Sequence, residues 1–143
     1  MQVIGFNFTK ISAERVLAQK PVGGMNTNIE FSEIAKEEVT LLKEQDALRI
    51  GFKFSITYNE AEAKKELKAG EVVFEGNIIL AASKDESKDI LKGWKKKDIS
   101  NAFKVPIFNM ILRKCSTKAL ELEDEVGLPY HIPIPYLTPK SGE

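Results

Sequence analysis

A chain of 143 residues with 43% apolar and 29% charged side chains has the composition of one folded domain and leaves little room for disorder. Lysine plus arginine and aspartate plus glutamate both number 21, so no net field draws the molecule toward nucleic acid or an anionic membrane, and any such binding must come from a local patch. One cysteine, Cys115, excludes an intramolecular disulfide and suits a reducing compartment. The opening Met1–Phe8 lacks the features of a signal peptide and no apolar run is long enough to span a bilayer. Together these predict a cytoplasmic protein with no membrane partner.

In chain order, Ile4, Phe6 and Phe8 share one face of a first strand. The next apolar positions, Ile11 and Ala13, are out of phase with them. A one-residue phase change turns the faces over, which predicts a bulge or bend near Thr9-Lys10. Pro21, Gly23 and Gly24 predict a turn or open loop, and Met25, Thr27, Ile29 and Phe31 a second strand. Ser32 to Asp46 reads two ways. Ile34, Val39 and Leu42 suit a weak helix, whereas Val39 and Leu41 suit the start of the next strand.

Leu48 to Tyr58 alternates strictly, with Leu48, Ile50, Phe52, Phe54, Ile56 and Tyr58 on one face, and is the clearest strand in the chain. Glu71 to Ala81 is another, with Val72, Phe74, Ile78 and Leu80 on one face, and Val73 and Ile79 on the other. The polar link from Asn59 to Gly70 predicts a loose hairpin and antiparallel pairing.

The period then changes. Ser83-Lys84-Asp85-Glu86 is a capping box, in which the serine oxygen and the glutamate carboxylate each satisfy a free backbone N–H. The helix behind it buries Ile90, Leu91 and Trp94 and fades near Lys97. A longer helical region is expected from Pro106, since proline fits the first helical position. Its apolar stripe is Phe108, Leu112, Cys115, Ala119, Leu122 and Val126, with Ser116-Thr117 as a point where it could break in two and Gly127 as its cap. The segment Leu128 to Tyr136 alternates proline with large apolar residues, so it is expected to run extended and to pack along the domain. Strands followed by helices predict an α+β fold: a four-stranded antiparallel sheet with two or three helices packed on it, forming a single domain over residues 1–137 with 138–143 as a short tail.

No catalytic, metal or cofactor set stands out, and none is expected. His131 is the single histidine, and Cys115 sits on an apolar stripe, where a cysteine behaves as a small core residue. Gly23-Gly24 lacks the lysine and hydroxyl residue of a phosphate loop. Glu121, Glu123, Asp124 and Glu125 lack calcium-loop spacing and read as a solvated face. Glu60, Glu62 and Glu66 show no acid–base pattern. The best surface candidate is a lysine stripe, Lys84, Lys88, Lys92 and Lys95 or Lys96, extended by Lys97 and accompanied by Trp94. Such a row tracks a nucleic-acid backbone, or is an ordinary solvated face in which Asp85 and Asp89 pair with Lys88 and Lys92.

The layout resembles the SecB-like family of protein-export chaperones over most of the chain. The resemblance is carried by Lys10-Ile11-Ser12-Ala13-Glu14, by Phe52-Lys53-Phe54-Ser55-Ile56, by Gly70 through Gly76, by Val105-Pro106-Ile107-Phe108, and by Gly127-Leu128-Pro129 before the proline-rich tail. It implies a four-stranded antiparallel sheet carrying helices, assembly into homo-oligomers, and holdase-type binding of unfolded polypeptides. The family's cysteine- and histidine-containing zinc tail has no counterpart in Thr138 to Glu143, so a role in that particular export pathway is not expected. The stretch from Ala119 to Pro133 is also similar to the ending of an uncharacterised archaeal family of small proteins. The leading expectation is a non-catalytic polypeptide-binding protein. The alternative is an RNA- or ribosome-associated protein using the Lys84–Lys97 helix.

Overall fold

The computed structural model describes residues 1–16, 21–38, 44–61 and 68–139. The alternating segment around Phe52 is the centre of the molecule. Leu48, Ile50, Phe52, Phe54, Ile56 and Tyr58 are each at most 1% exposed and form the core face of strand β3 (Gln45–Glu60). β3 lies between β2 (Val22–Glu37) and β4 (Lys68–Ser83), and β4 pairs in turn with β1 (Gln2–Arg15), all antiparallel, in the order β1-β4-β3-β2. Two helices, α1 (Lys84–Lys95) and α2 (Asn101–Val126), pack on one face of this sheet, which is the expected α+β architecture.

The phase change in β1 is a bulge where it was expected. Phe6 and Phe8 stand opposite Ile78 and Gly76, the register slips between Phe8 and Lys10, and Ile11 and Ala13 then stand opposite Phe74 and Val72. The extra residue keeps the apolar side chains on the helix face on both sides of the slip. A comparable slip between Phe31 and Glu33 lets β2 run on to Glu37, with Ile34 buried opposite Ile50. The first part of the ambiguous segment is therefore strand rather than helix, while Val39, Leu41 and Leu42 lie outside the described residues. The turn expected at Gly23-Gly24 is instead part of β2, with a register shift between Val22 and Gly24. The glycine is needed for room: a Cβ on Gly23 would stand 2.5 Å from the Ala61 Cα. Of the Asn59–Gly70 link, residues 62–67, including Glu62 and Glu66, also lie outside the described residues.

α1 opens on the capping box: the Glu86 N–H donates to Ser83 Oγ and the Ser83 N–H to Glu86 Oε1, each at 3.1 Å. These bonds hold the Glu86 carboxyl below its usual range. α2 departs from expectation in three ways. It begins at Asn101, so Pro106 lies inside it; the proline removes one ladder hydrogen bond early in the helix but does not end it. It is unbroken at Ser116-Thr117, where the Thr117 hydroxyl donates to the Arg113 carbonyl at 3.0 Å and so satisfies itself within the helix. Its buried stripe is Phe103, Ile107, Ile111, Cys115, Ala119 and Glu123, a run of four-residue steps, while Leu112 is 37% exposed. Gly127 closes the helix in the left-handed region at φ 72°, and the Gly127 and Leu128 N–H groups both donate to the Glu123 carbonyl. Among the described residues no helix is long and apolar enough to cross a membrane.

Candidate functional site

β1 is an edge strand, so half its backbone N–H and C=O groups point away from β4, with no strand beside them among the described residues. α2 lies alongside on the helix face, and between the two runs a groove of about 700 Å³. Phe8 from β1 and Met110 from α2 give it apolar walls. Arg113, Lys114 and Lys118 bring positive charge against one carboxylate, Glu121. The Lys114 ammonium sits 5.3 Å from the ring centroid of Phe6, where the π face attracts a cation. Apolar surface continues beyond the groove: Ile4 and Ile11 on β1 are each 47% exposed. The sequence does not reveal this arrangement, because Phe8 reads as core and a strand edge meets a helix side only in the folded chain.

The lysine stripe is divided by the fold. Lys84, Lys88 and Lys92 are exposed on α1, and among the described residues they make no ion pair with Asp85 or Asp89. Trp94 packs half-buried against the core, as its apolar face requires. With Lys95 it lines a separate hollow of about 530 Å³, which Lys97, Ile99 and Lys104 complete. Lys104 had no signal in the sequence, since it enters from the first turn of a helix that was expected to begin later.

A third constellation was read wrongly. Glu123, expected on a solvated face, is fully buried on the inner stripe of α2. The Tyr58 hydroxyl donates to its Oε2, the His131 backbone N–H donates to the same oxygen at 3.0 Å, and the His131 Nδ1 lies 2.8 Å from Oε1. Burial pushes the Glu123 carboxyl above its usual range, and the hydrogen bonds from His131 offset only part of that. The signal in the sequence was the four-residue step from Ala119 to Glu123. The set has the residue types of an acid–base site; its bonds tie the tail to the domain, and the His131 Nε2 is buried with no hydrogen-bond partner among the described residues. Leu128 is buried beside Gly70, and His131 stands edge-on to Phe54 at 6.5 Å. The tail therefore docks on its own domain as far as His131. Beyond it the expected packing fails, with Tyr136 and Leu137 84% and 88% exposed. Cys115 is fully buried on α2, and desolvation pushes its thiol up to about 12, so it is no nucleophile at neutral pH.

No family model matches the chain, and no curated protein matches it. Among solved structures, the chain is similar to the SecB-like chaperone Rv1957 of Mycobacterium tuberculosis, determined in complex with a ChAD peptide from the HigA1 antitoxin Rv1956. The two share 13% identity over 96% of this chain and 90% of that one, with a TM-score of 0.49.

Proposed function

We propose that the protein is a non-catalytic, SecB-like polypeptide-binding protein that holds unfolded segments along β1. The observation that carries this reading is the free β1 edge beside the groove of Phe8, Met110 and the three cations of α2. An extended chain pairs with the edge through its backbone, which any sequence can do, and drops alternate side chains toward the groove. That combination binds unfolded segments broadly, with apolar contact supplying affinity. A homo-oligomer formed through the same edge would protect it when no client is present.

The test is suppression of aggregation of a chemically denatured model protein. The expected result is protection that survives added salt, because backbone pairing and apolar contact are not screened. Ile4→Lys with Ile11→Lys should weaken it about fivefold or more, the loss of roughly 1 kcal/mol of apolar contact. Both side chains are substantially exposed, so folding stability should move by no more than about 0.5 kcal/mol. Full protection by the double variant, or none by the native protein, would contradict the reading.

A further inference from the structure

The hollow at the junction of α1 and α2 lies outside the groove and has a different chemistry. Its cations come from three backbone segments: Lys95 from the last turn of α1, Lys97 from the connection, Lys104 from the first turn of α2. No carboxylate lines it, and none of the three lysines is in an ion pair among the described residues. Trp94 and Ile99 complete the lining.

The backbone around the hollow is arranged to suit negative charge. The carbonyls at the end of α1 would repel an anion, but the N–H groups of Lys96, Lys97 and Asp98 are donated to Lys92, Trp94 and Gly93 and blunt that end. At the start of α2 Ser100 makes no side-chain cap bond and the first turn holds no acidic residue, while Asp89 and Asp98 lie with Ser100 on a separate neighbouring hollow and not on this one. Ile99 and Lys104, which line the hollow, bracket that end.

Lys97 carries the sharpest sign. Its φ is 55°, in the left-handed region that a glycine enters freely and a lysine enters at a cost. A position just past a helix end with this geometry is ordinarily filled by glycine. Here the strained residue is a lysine, and its side chain lines the hollow. This geometry closes α1, with the Lys97 N–H on the Trp94 carbonyl and the Asp98 N–H on that of Gly93, and it sets the Lys97 side chain on the wall of the hollow.

We infer that this hollow binds a nucleoside phosphate, with the base against the Trp94 indole and the phosphate among Lys95, Lys97 and Lys104. A planar ring against tryptophan and a phosphate against clustered ammonium groups match the lining group for group. The volume of about 530 Å³ falls in the range of small-molecule sites. The ligand is a free nucleotide or one unit of a single-stranded nucleic acid, which share this chemistry.

Trp94 is the sole tryptophan of the chain, so its fluorescence reports on the hollow alone. The full-length protein is titrated with adenosine monophosphate, with a single-stranded oligoadenylate and with inorganic phosphate. The expected result is saturable quenching by the adenine-containing probes, weakening with salt, with phosphate alone binding at least about tenfold more weakly because it lacks the stacked base. An oligoadenylate about tenfold tighter than the mononucleotide assigns the site to a single strand, and equal affinities assign it to a free nucleotide. Lys97→Gly should weaken binding severalfold while leaving the thermal midpoint unchanged or higher, since it relieves the left-handed strain. Lys104→Gln should also weaken binding. No quenching by either adenine probe, phosphate binding as tightly as the nucleotide, or unchanged binding in both lysine variants would overturn the inference. Failure of client holding would leave it untouched, because the groove residues are not involved.

Discussion

A carboxylate removed from water stays in place only if its oxygens are occupied, and Glu123 has Tyr58 and His131 on them. Tyr58→Phe removes one donor and should cost about 1–3 kcal/mol of folding stability, read from urea denaturation. Glu123→Ala strands the Tyr58 hydroxyl and the His131 N–H together, and should cost more, about 3–5 kcal/mol. The same carboxyl gives a pH signature. Its folded pKa is raised above the unfolded value, so the folded state binds this proton more tightly. Its contribution is full below the ordinary carboxyl value of 4.5 and declines as pH rises through the raised one. The native protein minus Glu123→Gln should therefore lose stability with rising pH from about 4.5 upward; a difference that is flat or grows with pH would contradict the assignment. Cys115 should resist alkylation at about pH 8 until the chain is denatured, given its burial and its thiol near 12. Of these residues the sequence showed Tyr58 and Cys115 as core. Glu123 reads as solvated by its charge, whereas its place on the i+4 row with Ala119 and Cys115 is what buries it.

The elements were legible where one physical rule acted alone. Strict alternation marked β3, the phase slip marked the bulge in β1, and Ser83 with Glu86 marked the start of α1. The start of α2 was missed where two rules competed. Proline favours a first helical position, but the burial of Phe103 and Ile107 against the sheet draws the helix back to Asn101. The ring of Phe31 lies 6.0 Å from that of Phe103 and 4.8 Å from that of Phe108, so both turns around Pro106 are held from β2. Gly76 offers a test of how tightly the sheet packs under the helices. A Cβ there would stand 2.4 Å from the Asn7 carbonyl oxygen and 2.7 Å from Cζ of Phe52. Gly76→Ala should destabilise the fold by about 1–3 kcal/mol through overpacking, visible as a lower denaturation midpoint with an unchanged slope.

At the scale of the whole molecule, the two edges of the sheet differ. β2 exposes Asn26, Asn28, Glu30 and Glu33 along its length with Met25 as its one large exposed apolar side chain, a mostly polar edge. β1 exposes Ile4 and Ile11 beside a groove whose cations outnumber its carboxylate. A pattern of apolar positions shows which residues leave water, but it does not show which strand ends up at an edge or which helix side lies next to it. The groove and the Trp94 hollow therefore exist only in the folded chain, although Trp94 and Lys95 are legible in the sequence as surface candidates. Hydrogen exchange along β1, with and without an unfolded client, tests the central claim most directly. The account predicts that the outward-facing amides between Lys10 and Arg15 slow when client is added, while those of β2 do not. Unchanged exchange in β1, or slowing confined to β2, would contradict it.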